Sequence, residues 1–299
     1  MSKKILVVGS TNTDMVVKAV RLPRPGETVL GGAFMMNAGG KGANQAVAAA
    51  RLGAQVIFIY KTGNDIFGQQ TMQLFADEGI DTSFALTDAT HPSGVALITV
   101  DEQAENCIVV ASGANARLLP ADLGEIADVI EQSDMVLMQL EIPMETIEYV
   151  AGIAASKGKA VILNPAPAQP LSKSLLQNVS ILTPNETEAG MISGIQVTDT
   201  TSAYEAAAAI CAMGVKTVII TLGAKGALIY TDTFRKEIPV EKVEAIDTTA
   251  AGDVFNGALA VALSEDKVIT EAVEFACKAA SISVTRLGAQ ASAPYQNEL

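Results

Sequence analysis

Seven short runs of β-branched and other apolar residues, at 5–8, 56–60, 135–140, 160–163, 179–182, 215–222 and 227–230, punctuate the chain. Their apolarity is continuous rather than alternating, which marks strands covered on both faces, as in a parallel sheet. Between many of them lie stretches rich in Ala, Leu, Met and Glu with helical patterning, at 43–52, 68–77, 123–131, 145–156 and 203–211. Strand alternating with helix is the repeating unit of an α/β fold with helices on both faces of its sheet. With 299 residues, 49% hydrophobic and 18% charged, the chain has the apolar surface for a sizeable core. Wholesale disorder is excluded.

Two regions break the rhythm. Residues 14–36 carry Pro23, Pro25, Gly26, Gly31 and Gly32 between short β-prone pieces. Residues 94–110 read as two strands, 95–100 and 106–110, joined by the acidic turn Asp101-Glu102-Gln103-Ala104-Glu105. Together they predict a small antiparallel flap over one edge of the main sheet. No Pro-, Gly- or Ser-rich linker, low-complexity tract or internal repeat divides the chain, so residues 1–299 are read as one domain.

Twenty basic residues against 33 acidic ones give a net charge of −13, and Trp is absent. A phosphate backbone would be repelled and single-stranded bases would find few stacking platforms, so nucleic acid is not expected as a partner. The three cysteines, Cys107, Cys211 and Cys277, lack zinc-site spacing. The one histidine, His91, sits in a turn-like His-Pro-Ser-Gly run and reads as a solvated loop residue, which leaves a carboxylate to activate any hydroxyl. The start, Met1-Ser2-Lys3-Lys4 before a five-residue apolar run, is too short for a secretory leader, and no stretch reaches the length of a membrane span. A cytoplasmic protein with reduced thiols is expected, with no membrane partner.

Four groups of residues are read as carrying chemistry. Asn37-Ala38-Gly39-Gly40-Lys41-Gly42-Ala43-Asn44-Gln45 opens an Ala-rich helix, so its glycines either bring backbone amides to a ligand or let a small-residue helix pack on the sheet. Asp247-Thr248-Thr249-Ala250-Ala251-Gly252-Asp253 precedes another helix and would leave its first amides uncovered, a pocket for developing negative charge beside Asp253. Thr183-Pro184-Asn185-Glu186-Thr187-Glu188 and the run 221–226 follow buried strands, where open α/β sheets place ligands. Asn185 and Glu188 share a helix face and suit water around Mg²⁺, although each taken alone also reads as a cap. After the first strand, Ser10-Thr11-Asn12-Thr13-Asp14 offers the donors and acceptors that a polyhydroxylated ligand needs.

With these segments in view, the chain resembles the ribokinase-like (PfkB) carbohydrate kinases. The resemblance runs nearly end to end and rests on the stretches around Gly39-Gly40-Lys41-Gly42 and 247–253, in the family's order and separation; Gly-Ser-x-Asn-x-Asp at 9–14 narrows it towards ribose as the substrate. It implies a three-layer α/β/α fold with a mostly parallel sheet and a β lid at about 14–36 and 94–110 that also forms a homodimer. It implies ATP-dependent phosphorylation of D-ribose at O5. Asp253 would be the general base, with the amides of Ala251, Gly252 and Asp253 as anion hole. Ribose would contact Asn12, Asp14, Gly40, Lys41, Gly42, Asn44, Glu141 and Asp253. ATP would contact Asn185, Thr221, Gly223, Gly226, Gly252 and Cys277, with Mg²⁺ held through water at Asn185 and Glu188. A K⁺ activator would sit at Asp247, Thr249, Ser283, Arg286, Gly288 and Ser292, several through carbonyl oxygens. Ala250 departs from a glycine common in the wider family. A kinase of another sugar or a nucleoside, and a non-catalytic sugar-binding protein, are the competing readings; a dinucleotide-dependent oxidoreductase lacks its fingerprint after the first strand.

Overall fold

The computed structural model describes residues 3–103 and 105–299. Met1 and Ser2 of the start, and Ala104 of the acidic turn, lie outside the described residues. The central sheet has eight strands in the order Arg235–Ile238, Ala227–Tyr230, Thr217–Thr221, Ile181–Leu182, Ala160–Leu163, Met135–Met138, Lys4–Val8, Gln55–Ile59. Seven of them point one way, and Ala227–Tyr230 runs against them. All seven apolar runs contain a strand of this sheet. The eighth strand, Arg235–Ile238, escapes sequence reading because three of its four residues are exposed and polar at the sheet edge. The pair Lys61–Gly63 and Leu86–Asp88 is likewise too short to show a period.

Each strand but the edge strand Arg235–Ile238 feeds two cores. Ile5 and Val7 enter one apolar cluster, Leu6 and Val8 the other, so a run without alternation is what burial on both faces requires. Helices Lys41–Arg51, Ala251–Ser264 and Ile269–Ser283 cover the first face; Ile126–Glu131, Met144–Ser156 and Thr200–Ala212 cover the second. Small residues let the first two helices approach closely: a Cβ on Gly257 would lie 2.8 Å from both Ala48 Cβ and Gln45 O. That approach sets Asn44 and Gln45 against the first turn of the Ala251–Ser264 helix.

A separate four-stranded sheet has the order Ala33–Gly39, Asn12–Lys18, Gly94–Val100, Asn106–Ala111. The antiparallel flap expected above needs correction, because its central pair, Asn12–Lys18 with Gly94–Val100, is parallel. Both strands leave the same end of the molecule, pinned by Asn115, whose Nδ2 donates to Thr11 O and Asn12 Oδ1 and whose Oδ1 accepts Thr11 N–H, all within 3.0 Å. The sheet also starts earlier and ends later than 14–36, so Asn12 and Gly39 lie at its root. Apolar side chains on it stay open, with Phe34 61% and Val109 62% exposed. Among the described residues no helix is long and apolar enough to cross a membrane.

Candidate active site

The sheet delivers polar residues at the ends of its parallel strands: Ser10 to Asn12 after the first, Gln139 to Glu141, Asn164 and Thr183 after the next three. A cleft there is lined by Lys41, Asn164, Asn185, Glu188, Thr221 and Asp253, together with residues 250–252. A larger hollow between Ile59, Phe84, Leu86 and Leu123 touches none of the residues expected in the site. We take the smaller, polar cleft as the site because the titratable groups converge on it.

The Ala251–Ser264 helix begins without a side-chain cap. Its ladder starts with Val254 N–H donating to Ala250 O at 2.9 Å, so the N–H groups of residues 251–253 stand ahead of the ladder. Ala251 N–H reaches Thr248 O only at 3.3 Å, and a Cβ on Gly252 would meet nothing within 4 Å, leaving this turn open to the cleft. Asn256 steadies the turn: its Nδ2 donates to Gly252 O and its Oδ1 accepts from Thr183 Oγ1. Ala250 sits at φ +60°, the left-handed region that an L-side chain occupies at a cost. Ala250→Gly is therefore expected to raise stability by about 0.5–1 kcal/mol with the fold unchanged, read as a higher melting temperature; an unchanged or lower one would show that the turn is not strained there.

Asp253 is 5% exposed. Asn44 Nδ2 donates to its Oδ2 at 2.8 Å and Gln45 Nε2 to its Oδ1 at 2.9 Å. Burial pushes its pKa upward, and Lys41, Asn44 and Gln45 pull against that rise. Burial would discharge Lys41, but the carboxylates of Asp253, Glu141, Glu188 and Asp14 outweigh it and raise its pKa. Asp14 is pushed up to about 7, first by burial and then by Glu141 and Asp253. Glu141 is anchored by Ser10 Oγ at 2.5 Å and Lys41 N–H at 3.0 Å. One lysine thus sits among four carboxylates.

Of the two meanings the sequence left open for the glycine run, close packing is visible at Gly40 and Gly42. Gly40 at φ +89° and Gly42 pack against backbone: added Cβ atoms would fall 2.7 Å from Asn12 N and 2.5 Å from Ser10 N. Gly39 instead makes room for a functional group, since its Cβ would strike the Asp14 carboxylate at 2.2 Å. Asn12, Asp14, Lys41, Asn44, Glu141 and Asp253 are all brought together by these contacts.

On the other side of the cleft, Asn185 Oδ1 accepts Glu188 N–H while Glu188 Oε2 accepts Asn185 N–H, a reciprocal helix cap that fixes both side chains. Burial raises the Glu188 pKa. Asn185 bridges to Thr221, and Gly223 and Gly226 form the positive-φ turn that follows. Cys277 is buried in the core on the Ile269–Ser283 helix, where burial pushes its thiol up to about 12. Asp247 ties two segments together, accepting Thr249 N–H and Gly288 N–H at 2.9 Å each. Ser283 and Ser292 hydroxyls bond back to Ala280 O and Ala289 O, and Arg286 pairs with Glu298. His91 lies outside the site, half-exposed beside Asp88.

Gln45, Gln139, Asn164, Thr183 and Asn256 line or brace the site without a role assigned to them from the sequence, although Gln45 and Thr183 fall within its motifs. The legible signal was positional: Asn164 and Thr183 each end an apolar run, and Gln139 interrupts one, where a polar residue must have a partner.

Comparisons with known proteins identify the family. A family model described as pfkB family carbohydrate kinase matches residues 2–296. A ribokinase of Haemophilus influenzae is 48% identical over 298 residues, covering 100% of this chain and 97% of its own length. A deoxyribokinase of Salmonella typhi is 35% identical over 97% of this chain and 95% of its own. The structure of Arabidopsis thaliana ribokinase complexed with ribose and ATP superposes with a TM-score of 0.94 at 32% identity, covering 99% of this chain and 97% of that one. Matched end to end by family model, relative and structure alike, the chain belongs to the pfkB family of carbohydrate kinases.

Proposed function

We propose that the chain transfers the terminal phosphoryl group of ATP to the 5-hydroxyl of D-ribose, giving D-ribose 5-phosphate and ADP. The observation that carries this is the placing of Asp253: a buried carboxylate with a raised pKa, at a helix start whose open amides face the same cleft. Phosphoryl transfer asks a protein mainly to position groups and spread charge. Asp253 takes the hydroxyl proton as the oxygen attacks, while the amides of residues 251–253 and Lys41 meet the charge on the moving group. Asn12, Asp14, Gly40, Lys41, Gly42, Asn44 and Glu141 hold the sugar, whose hydroxyls match their mix of donors and acceptors. The higher identity to a ribokinase than to a deoxyribokinase supports ribose.

Asn185, Thr221, Gly223, Gly226, Gly252 and Cys277 are assigned to the nucleotide. Among the described residues no group of three or more His, Cys, Asp or Glu is arranged to hold a metal ion, which suits a divalent ion that arrives on nucleotide phosphates. Asn185 and Glu188 would hold Mg²⁺ through water, and the ion would neutralise phosphate charge. Asp247, Thr249, Ser283, Arg286, Gly288 and Ser292 would hold K⁺; one carboxylate bridging two segments, with Arg286 contributing only its carbonyl, fits a monovalent ion held mostly by carbonyl oxygens. The small sheet acts as a lid that excludes water when sugar is bound. Its open apolar side chains and free edges support a homodimer through that lid. The cytoplasm, where ATP is at hand and thiols stay reduced, is the setting this reading requires.

The test is ADP formation from MgATP with D-ribose, 2-deoxyribose, fructose, adenosine or pseudouridine, each with Na⁺ or K⁺ as sole monovalent ion, on protein whose mass in solution is measured alongside. Ribose-selective turnover that rises with K⁺, by a particle of twice the chain mass, is expected. Turnover on another acceptor removes the substrate assignment, indifference to K⁺ removes the cation site, and a single chain mass removes the dimer.

A further inference from the structure

We infer that Gln45, locked in turn by Gln139 and Asn164, is a positioning residue that fixes the orientation and the charge state of the Asp253 carboxylate. The inference rests on the reading of Asp253 as base. A carboxylate can only accept, so Gln45 must aim its NH₂ at Asp253 Oδ1, 2.9 Å away. The second hydrogen of that NH₂ goes to Asn164 Oδ1 at 3.1 Å, and Gln45 Oε1 accepts Gln139 Nε2 at 2.6 Å. Asn164 is itself fixed, its N–H on Met138 O and its Nδ2 on Thr183 O. The donors therefore run one way, from Gln139 through Gln45 to the base.

The far end shows what this direction costs. Gln139 is fully buried, and its Oε1 has no hydrogen-bond partner. It occupies the space over Gly9, where a Cβ would lie 2.2 Å from it. Turning the Gln139 amide over would set its carbonyl against that of Gln45, and turning Gln45 as well would set a carbonyl against the carboxylate. The fold leaves one carbonyl unpaired at Gly9 and keeps a donor on Asp253. That donor favours the ionised form in a place where burial opposes it. The charged groups around Asp253 are Lys41 and Glu141, with Asp14 and Glu188 in the same cluster; Asn44 and Gln45 are its two neutral donors.

The experiment is the pH dependence of single-turnover phosphoryl transfer from MgATP to D-ribose in Gln45→Leu, Gln139→Met and the double variant, with ribose affinity measured by calorimetry. Losing a donor to the charged form raises the pKa of the base, so the acid limb of Gln45→Leu should move up by about one pH unit, about tenfold in rate at the foot of the limb. Ribose affinity should change by less than about threefold. Gln139→Met, which does not touch Asp253, should shift the limb the same way by less. The double variant should match Gln45→Leu alone, because Gln139 acts only through Gln45. An equal loss at every pH with the limb unmoved, or additive effects in the double variant, would overturn the inference. Should Gln45→Leu fail to fold, Gln139→Met decides alone by whether its limb moves. Asp253→Asn separates the two levels: near-native transfer in it removes the base reading and this inference together, whereas its inactivity beside unmoved limbs removes only this one.

Discussion

Replacing Asp253 by Asn is expected to lower kcat roughly 10²- to 10⁴-fold while sugar binding persists. The substitution keeps volume and removes the proton acceptor. Its new NH₂ replaces one of two accepting oxygens and so faces a donor, either Asn44 Nδ2 or Gln45 Nε2. Asn44 can relieve the conflict, because its Oδ1 is buried without a partner and can turn to accept. Gln45 has no such freedom, so the Asn oxygen should stay on the Gln45 side. The variant should therefore fold. Steady-state kinetics with MgATP and calorimetric titration with D-ribose separate the two effects. The pH profile adds a second readout with a definite sign. Burial holds the wild-type carboxyl above the ordinary Asp range, so wild-type activity is lost as pH falls through that raised pKa and regained as pH rises. The residual activity of Asp253→Asn should lack that limb. Near-native kcat, or an acid limb that survives the substitution, would mean another group takes the proton.

The fold was legible because burial on both faces leaves a mark that needs no partner to be read: each apolar run of the sequence contains a strand of the central sheet. What stayed hidden was set by contacts distant in sequence. Nothing near residues 235–238 announces a strand, since an edge strand with exposed polar side chains has no apolar period. The parallel pairing of Asn12–Lys18 with Gly94–Val100 depends on Asn115, a hundred residues from the strand it pins. In the site, Asp253 and the small residues before it stood out because two aspartates flanking a bare small-residue turn are an odd way merely to cap a helix. Gln45 and Gln139 were not, because a glutamine becomes informative only when the group that it faces is known. The glycine run was ambiguous for a sound reason: packing and ligand approach both demand the absence of a Cβ, and its members divide in what they meet, Gly40 and Gly42 backbone and Gly39 the Asp14 carboxylate.

That division makes the same substitution do different things three residues apart. Gly42→Ala drives a methyl into backbone, 2.5 Å from Ser10 N and 2.7 Å from Gly9 C, neither of which can move without separating the Lys41–Arg51 helix from the first strand. A loss of about 1–3 kcal/mol is expected, read as a fall in melting temperature with or without sugar present. Gly39 does not have a positive φ, so its backbone tolerates alanine. The obstacle there is the Asp14 carboxylate, whose three terminal atoms lie 2.2–2.4 Å from the added Cβ and which can swing aside. Gly39→Ala should leave the melting temperature nearly unchanged and weaken D-ribose about 10- to 100-fold, the scale of a lost hydrogen-bond set to a charged group. Because the displaced carboxylate has its pKa near 7 in the sugar-free protein, the ribose affinity of the wild type should rise with pH through that region as the acceptor form fills. Gly39→Ala should flatten that rise. If Gly39→Ala bound ribose as tightly as the wild type, Asp14 would not be holding the sugar, and its place over Gly39 would be packing alone.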